Sequence, residues 1–239
     1  MDALAAGPRG GLSIIVPVLD EAGIIADNLA RLRRQVGPDT EILVVDGGSR
    51  DGTPARAAPY AKVLPAAPGR AGQLNAGARA AGGRWLLFLH ADTLLPDGFA
   101  SAPAEAQRLG LRAGVFRLHI AGRHPLLPVL SAGANWRTRW RAIFLGDQAP
   151  FVERELFEAA GGFPDQPLLE DLEFALRLKR LGVRLYFSPL RAQTSGRRWE
   201  EGGFLATWWL MRRIFHRYRR HGAGALASMG YRDVRQGGG

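Results

Sequence analysis

Residues 41–53 read EILVVDGGSRDGT. An apolar, β-branched run ends in an acid and then breaks into glycines, as a buried strand does on leaving a sheet through a tight loop. Upstream, LSIIVPV (12–18) is a run of the same kind and passes into LDEAG. Downstream, RWLLFLH (84–90) is a third, followed by Ala91-Asp92. Between them Ile25, Leu29, Leu32 and Val36 recur at helical spacing and predict a helix over 22–35. Small residues predict another over 71–81, and a short strand is expected at 62–65. Asp51 or Thr53 is the expected helix N-cap after the second strand. This alternation implies an α/β fold, a mostly parallel twisted sheet flanked by helices on both faces.

The second half is less regular. Strands are expected at 112–120 and 183–189, and helices at 128–143, 153–163 and 170–182. Gly161-Gly162 and Gly182 end the last two. One domain is expected over 12–200, in two halves divided near residue 110, with a basic helix and tail over 201–239.

Composition narrows the classes. The chain has 239 residues, 46% hydrophobic and 23% charged, which excludes disorder, collagen and coiled coil. With no cysteine, disulfides, thiolate metal sites and cysteine nucleophiles are excluded, and a reducing compartment such as the cytoplasm is expected. The first residues, MDALAAGPRGG, do not have the form of a signal peptide, and no apolar run nears the roughly 20 residues of a membrane span. Net charge is +10, yet residues 1–176 sum to −1 and residues 177–239 to +11. Confinement of the excess to the last quarter argues against a general nucleic-acid binder.

Three strands end in acids: the first in Asp20-Glu21, the second in Asp46, the third in His90-Ala91-Asp92. In an open parallel sheet, ligands bind beyond the carboxyl ends of the strands. One such acid is readily a turn residue. Three at one edge repel one another unless a cation or donors join them, and hard oxygen ligands suit Mg2+ or Mn2+. There is no GxxxxGK[ST] loop and no GxGxxG after the first strand, so P-loop and Rossmann dinucleotide chemistry are disfavoured.

VPVLDEAG, EILVVDGGSRDGT, GRAGQLNAGARAAGG and LLFLHADTLLP, in that order, resemble the N-terminal half of a family 2 glycosyltransferase of the GT-A fold. GDQAPFVERELFEAAGGFPDQPLLEDLEFALRLKRLG resembles the acceptor-side half. The resemblance spans residues 12–190. It implies transfer of a sugar from a nucleoside diphosphate donor, UDP- or GDP-type, to a hydroxyl acceptor, usually with inversion and a divalent metal. Pro17, Glu21, Asp46, Gly48 and Asp51 would then line the nucleotide site, with Arg70 approaching the nucleotide and Asn75 holding the local turn. His90, Ala91 and Asp92 occupy the Asp-x-Asp position, where Asp92, with His90, would hold the metal. Glu170-Asp171 matches the acidic pair that opens a helix, Asp171 being the expected general base. Asp147, Gln148, Arg198 and Trp199 would face the acceptor.

Three departures from that pattern stand out. His90 replaces the first acid of the metal motif, Asp46-Gly47-Gly48 replaces Asp-Asp-Gly, and the Gln-x-x-Arg-Trp signature of processive synthases is missing, Gln193 being followed by TSGRRW. A non-processive enzyme is therefore expected.

Simpler readings compete. Asp171 suits a helix's first turn without any chemistry, and His90 reads equally as a strand-end histidine. Asp147 reads equally as a turn acid. Trp136 and Trp140 share one helix face, where core packing is favoured over stacking on a sugar. In the C-terminal helix, 203–221, Phe204, Trp208, Met211, Phe215 and Tyr218 form a stripe with arginines gathered at its end. It either packs on the domain or lies in an anionic membrane surface, beside a lipid-linked acceptor. A nucleotidyltransferase is the second enzyme reading, although its Gly-rich, Lys-bearing signature is missing.

Overall fold

The computed structural model describes residues 11–222. In the N-terminal half, β1 (Leu12–Val18), β2 (Glu41–Asp46), β3 (Lys62–Pro65) and β4 (Trp85–Phe88) alternate with α1 (Ile25–Gln35), α2 (Thr53–Ala57) and α3 (Arg70–Ala80). Then follow β5 (Thr93–Leu94), α4 (Ala102–Arg108), β6 (Ala113–Ala121), α5 (Leu127–Arg141), β7 (Phe151–Glu153) and α6 (Arg154–Ala159). The last elements are α7 (Glu170–Arg180), β8 (Leu185–Ser195), α8 (Arg197–Glu201) and α9 (Phe204–His221). All eight strands form one sheet in the order β3-β2-β1-β4-β7-β6-β8-β5. Its first four strands are parallel, as expected, and β6 runs parallel to β8, whereas β7 and β5 pair antiparallel with their neighbours.

The two faces of the sheet carry separate cores. Ile14, Val16, Val44 and Leu87 pack with α1 and α4, while Ile15, Leu43, Val45 and Phe88 pack with α3, α6 and α7. This is why β1 and β2 read as unbroken apolar runs rather than alternating ones. The small residues of α3 have a steric cause. A Cβ on Gly77 would lie 2.4 Å from Ile15 Cγ2, so the helix backbone rides directly on the sheet.

Several boundaries differ from expectation. The helix predicted over 22–35 starts at Ile25, because Glu21–Ile24 form a turn in which the Ile24 and Ile25 amides donate to the Glu21 carbonyl. Neither Asp51 nor Thr53 is an N-cap: Gly52, at φ 85°, holds that position for α2, and Asp51 instead accepts the Thr53 amide. The strand at 84–90 closes at Phe88, and the helix at 153–163 occupies only Arg154–Ala159. The strand at 183–189 runs from Leu185 to Ser195. Between the pairs Val115↔Phe187 and Arg117↔Arg191, β6 advances two residues and β8 four, with Pro189 in the excess. Proline lacks the amide that a ladder needs, so the ladder breaks there and resumes.

The core-packing expectation for Trp136 and Trp140 is overturned. Helix α5 buries Leu127, Ser131 and Thr138 and leaves both tryptophans exposed. Those three form its inner face, and a half-turn offset from them places Trp136 and Trp140 in water. The α9 stripe is rotated: Thr207 and Ile214 are its buried residues, and Ile214 packs on Leu168. Phe204, Trp208, Met211, Phe215 and Tyr218 are half-buried, and the Tyr218 hydroxyl donates to Glu173. No described helix is long and apolar enough to cross a membrane. The tail predicted beyond residue 222 lies outside the described residues.

Candidate active site

Strands β2, β1 and β4 are neighbours and parallel, so their carboxyl ends share one edge. Asp46, Asp20-Glu21 and the His90–Asp92 turn leave from that edge. The loops there are laced by side chain to backbone bonds. Buried Asp46 accepts the Gly48 amide at 3.1 Å, the Ser49 amide and the Ser49 hydroxyl at 2.5 Å. Gly48 makes this turn at φ 90°, a conformation that costs glycine nothing. Asp20 accepts the Arg50 amide, and its own amide donates to Ser49. Asp51 accepts the Ala22 amide at 2.9 Å and the Thr53 hydroxyl at 2.5 Å. What burial Asp51 has would raise its pKa, but these bonds outweigh it and hold the carboxyl below its ordinary value. Glu21 is buried, and its amide donates to Thr53 Oγ1. Half-buried Pro17 pairs with Val45 inside the ladder, one residue short of the edge.

Gln73 was missed in the sequence. Its buried amide donates to the Val18 and Val45 carbonyls at 2.8 and 2.7 Å and so ties the ends of β1 and β2 together. A large amide within an otherwise small-residue helix was the available signal. Asn75 does more than hold a local turn. Its amide pairs with both the carbonyl and the amide of Phe163, at 2.7 and 3.0 Å, and so joins α3 to the second half of the chain.

The acidic pair of the second half meets the first half at two points. Arg70, at the start of α3, lies 3.7 Å from Glu170. Glu170 is buried, and its carboxyl is pushed up to about 7, first by desolvation and then by the adjacent Asp171 charge, with Arg70 opposing. The second point is Gly146, whose amide donates to Asp171 Oδ2 at 2.6 Å. A Cβ there would stand 2.4 Å from His90 Nε2 and 3.2 Å from Asp171 Oδ2. Imidazole and carboxylate therefore close on the same bare backbone atom. Asp171 does not cap α7, because the N-cap is Leu169, in the left-handed region at φ 62°. Asp20, Ala142, Ala149 and Leu169 are the non-glycine residues at positive φ among the described residues. Asp20 lies in the loop after β1, Ala142 and Ala149 flank Gly146, and Leu169 immediately precedes the acidic pair. Backbone strain of this kind gathers at functional sites.

Arg137 was also missed. It is largely buried, its Nε donates to the Ile143 carbonyl, and it lies within the fields of Asp147 and Asp171. Desolvation lowers its pKa, and those two carboxylates oppose the shift. Nothing in the sequence distinguished it from Arg139 or Arg141. One acceptor-side expectation is corrected. Gln148 is fully buried, with its amide bonded to Thr138 and to the Phe116 carbonyl, so it anchors α5 rather than facing a cleft. Trp199 is half-buried and packs on the cluster of Leu118, Ile120 and Leu127 and against Phe204. The Arg198 side chain lies outside what the structure describes.

No three His, Asp or Glu groups gather into a metal cage among the described residues. Asp92 is half-buried and takes no hydrogen bond or ion pair from another described residue. Its carboxylate, two residues from the His90 imidazole, suits a hard cation held by one or two protein groups and completed by phosphate oxygens. Ala91 is buried, and its carbonyl accepts from Asn28 at 2.7 Å, which fixes the turn that carries the pair.

Residues 13–105 match the model of glycosyl transferase family 2. Among solved structures, the chain is similar to a mannosyltransferase, PcManGT, from Pyrobaculum calidifontis in complex with GDP-Man and Mn2+. That match has 24% identity and a TM-score of 0.63, and covers 86% of this chain and 65% of the other. It is also similar to S. aureus TarS, residues 1–349, in complex with UDP-GlcNAc, with 18% identity, a TM-score of 0.63, and 77% and 58% of the two chains covered. The match thus spans less than two thirds of either solved chain. No curated protein matches the chain by sequence. The fold is that of the GT-A glycosyltransferases.

Proposed function

We propose that this chain, with its glycosyl transferase family 2 domain over residues 13–105, moves a hexosyl group from a nucleoside diphosphate sugar to a hydroxyl acceptor with inversion. The observation that carries the reading is Gly146, where Asp171 from one half of the chain closes on His90 from the other. The similarity to chains solved with GDP-Man and UDP-GlcNAc supports a UDP- or GDP-type donor.

In this reading the acceptor oxygen bonds to the anomeric carbon as the bond from that carbon to the diphosphate oxygen breaks. The electron pair leaves with the nucleoside diphosphate, and the hydroxyl proton passes to Asp171. A positioned base of this kind contributes about 10²–10⁴-fold. Each Asp171 oxygen accepts one backbone amide, Gly146 or Leu172, and keeps a second lone pair for the incoming proton. Inversion requires base and leaving group on opposite faces of the sugar, which a base on one half and a diphosphate site on the other supply. Asp46 and Glu21 contact the nucleoside, and Asp51 supports the loop beside them through the Ala22 and Thr53 bonds. Arg70, held beside Glu170 at the start of α3, approaches the phosphates. Asp92 and His90 would hold Mg2+ or Mn2+, which when bound offsets the charge left on the diphosphate.

The α9 face of Leu205, Trp209, Arg212, Arg213 and Arg217 is exposed and suits peripheral contact with an anionic membrane, on the cytoplasmic side, beside a lipid-linked acceptor.

A thermal-shift screen of UDP- and GDP-sugars, with and without Mn2+, tests the donor reading, since a ligand of the folded state raises Tm by mass action. Asp92→Ala should remove the Mn2+-dependent part of the shift. Asp171→Asn should keep the shift and lose transfer by about 10²-fold or more. Normal turnover in Asp171→Asn would refute the base assignment.

A further inference from the structure

Helix α5 turns toward solvent a stripe that no described residue covers. Trp136 is 57% exposed and Trp140 72%, with Val129, Ala132 and Gly133 exposed on the same side. At helical spacing these five fall within an arc of about 100°. None of them is charged, and the arginines flank them. Exposed Arg139 and Arg141 border the stripe, and the Arg141 guanidinium lies 5.8 Å from the centre of the Trp136 ring. From Ala106 to Gly146 the chain holds seven arginines and no Asp, Glu or Lys. Summing charge over residues 1–176 conceals this run.

The two ends of α5 lead to two places already described. Just before its first turn, the His124 ring stacks on Phe204 of α9, with centroids 4.3 Å apart. Near its last turn, Thr138 bonds to Gln148 at 2.7 Å, and Arg137 lies in the fields of Asp147 and Asp171. Helix α5 therefore runs from the start of α9 to the neighbourhood of the candidate site, and carries the stripe on its outer side.

A second copy of this chain is a poor occupant. It would oppose arginines to arginines with no acid in the segment to answer them. An anionic bilayer answers both features, since tryptophan rings settle at headgroup level and guanidiniums pair with lipid phosphate. We propose that α5 is a membrane-contact helix, in which Trp136 and Trp140 enter the interface of an anionic bilayer and Arg139 and Arg141 bind its phosphates. The contact extends the one proposed for α9 and rests on it for the orientation of the molecule. Together they hold the two helices that flank the candidate site against the lipid surface.

Co-sedimentation of the full chain with vesicles tests this, using phosphatidylcholine alone and phosphatidylcholine mixed with phosphatidylglycerol. The native chain should bind only the anionic vesicles. W136S/W140S should weaken that binding about tenfold, and R139Q/R141Q about fivefold per arginine. L205S/W209S reads α9 separately. If it lost binding while W136S/W140S kept it, the α9 contact would stand and the α5 proposal would fall. The chain has no cysteine, so V129C carries a single environment-sensitive dye. Its emission should shift to the blue with anionic vesicles, and an unchanged spectrum overturns the proposal. So would self-association, or binding to a single-stranded oligonucleotide, that W136S/W140S abolishes while vesicle binding is intact. The donor-induced thermal shift, read without vesicles, should be equal in all variants. Its absence in the native chain would sink the sugar-transfer reading and leave the lipid result standing.

Discussion

Gly146 carries no functional group, yet His90 and Asp171, the proposed metal ligand and base, both close on it. Its φ is not positive, so alanine could adopt the same backbone, and the obstacle is wholly the approach of His90 and Asp171. Gly146→Ala should therefore cost about 1–3 kcal/mol of stability through overpacking, leaving the chain folded, and lower kcat by about 10²-fold, the size expected when reacting groups are displaced by an ångström. Steady-state kinetics beside a melting curve checks the split. Glu170 makes a different prediction. Its folded pKa of about 7 lies above the ordinary 4.5, so the native state holds a proton that the unfolded chain releases. Stability is then fully present below pH 4.5 and falls as pH rises toward 7, by roughly 3 kcal/mol. Glu170→Gln should flatten that dependence and be the more stable protein at pH 8, as urea titrations at pH 5 and pH 8 would measure. None of this was legible in the sequence, where Gly146 is one of 31 glycines and Glu170 one acid of a pair. The meeting of Gly146 with His90 and Asp171 exists only once β4 and α7 are folded against each other.

At the scale of elements, the buried strands and the four-residue β3 were readable, and the two shortest strands were not. LSIIVPV and EILVVD are buried on both faces, so four or five consecutive positions in each are apolar and the run announces itself. Thr93–Leu94 and Phe151–Glu153 are two and three residues long, too short for any period to emerge. Glu153 also reads as a helix residue, yet it ends β7 as a buried acid gripped by Arg84 at 2.7 Å and by Arg112. Helix α5 misled for another reason. Spacing shows that Trp136 and Trp140 share a face, but not whether that face looks inward, and Leu127, Ser131 and Thr138 take the inner one. The clearest prediction at this scale concerns Asn75, whose amide satisfies both backbone groups of buried Phe163 across 88 residues. Asn75→Ala leaves that amide and carbonyl buried and unpaired, at a cost of roughly 2–4 kcal/mol. Denaturant titration should show the loss, and donor affinity should fall with it because α3 also carries Arg70.

Over the whole molecule, the sheet decides how the two halves depend on each other. Strand β4 belongs by sequence to the first half but pairs with β1 on one side and β7 on the other. The core on one face joins Leu87 and Ala91 to Phe116, Phe151 and Ala192, and the core on the other joins Phe88 to Phe144, Phe163 and Phe174. Neither half closes a core alone. A fragment of residues 1–110 would strip β4 of β7 and expose Phe88 on the face that Phe157 and Phe163 now cover with centroids 5.2 and 4.8 Å away. We expect the intact chain to unfold in a single transition, with far-ultraviolet ellipticity and tryptophan emission coincident. The fragment should be insoluble or molten, without a cooperative melt, although it contains Asp46, Arg70, His90 and Asp92. A fragment that melted cooperatively and still shifted with a nucleotide sugar would show that the nucleotide side is complete before the acidic pair arrives. Asp171 and Gly146 would then serve transfer alone, and donor binding would not depend on the second half of the chain.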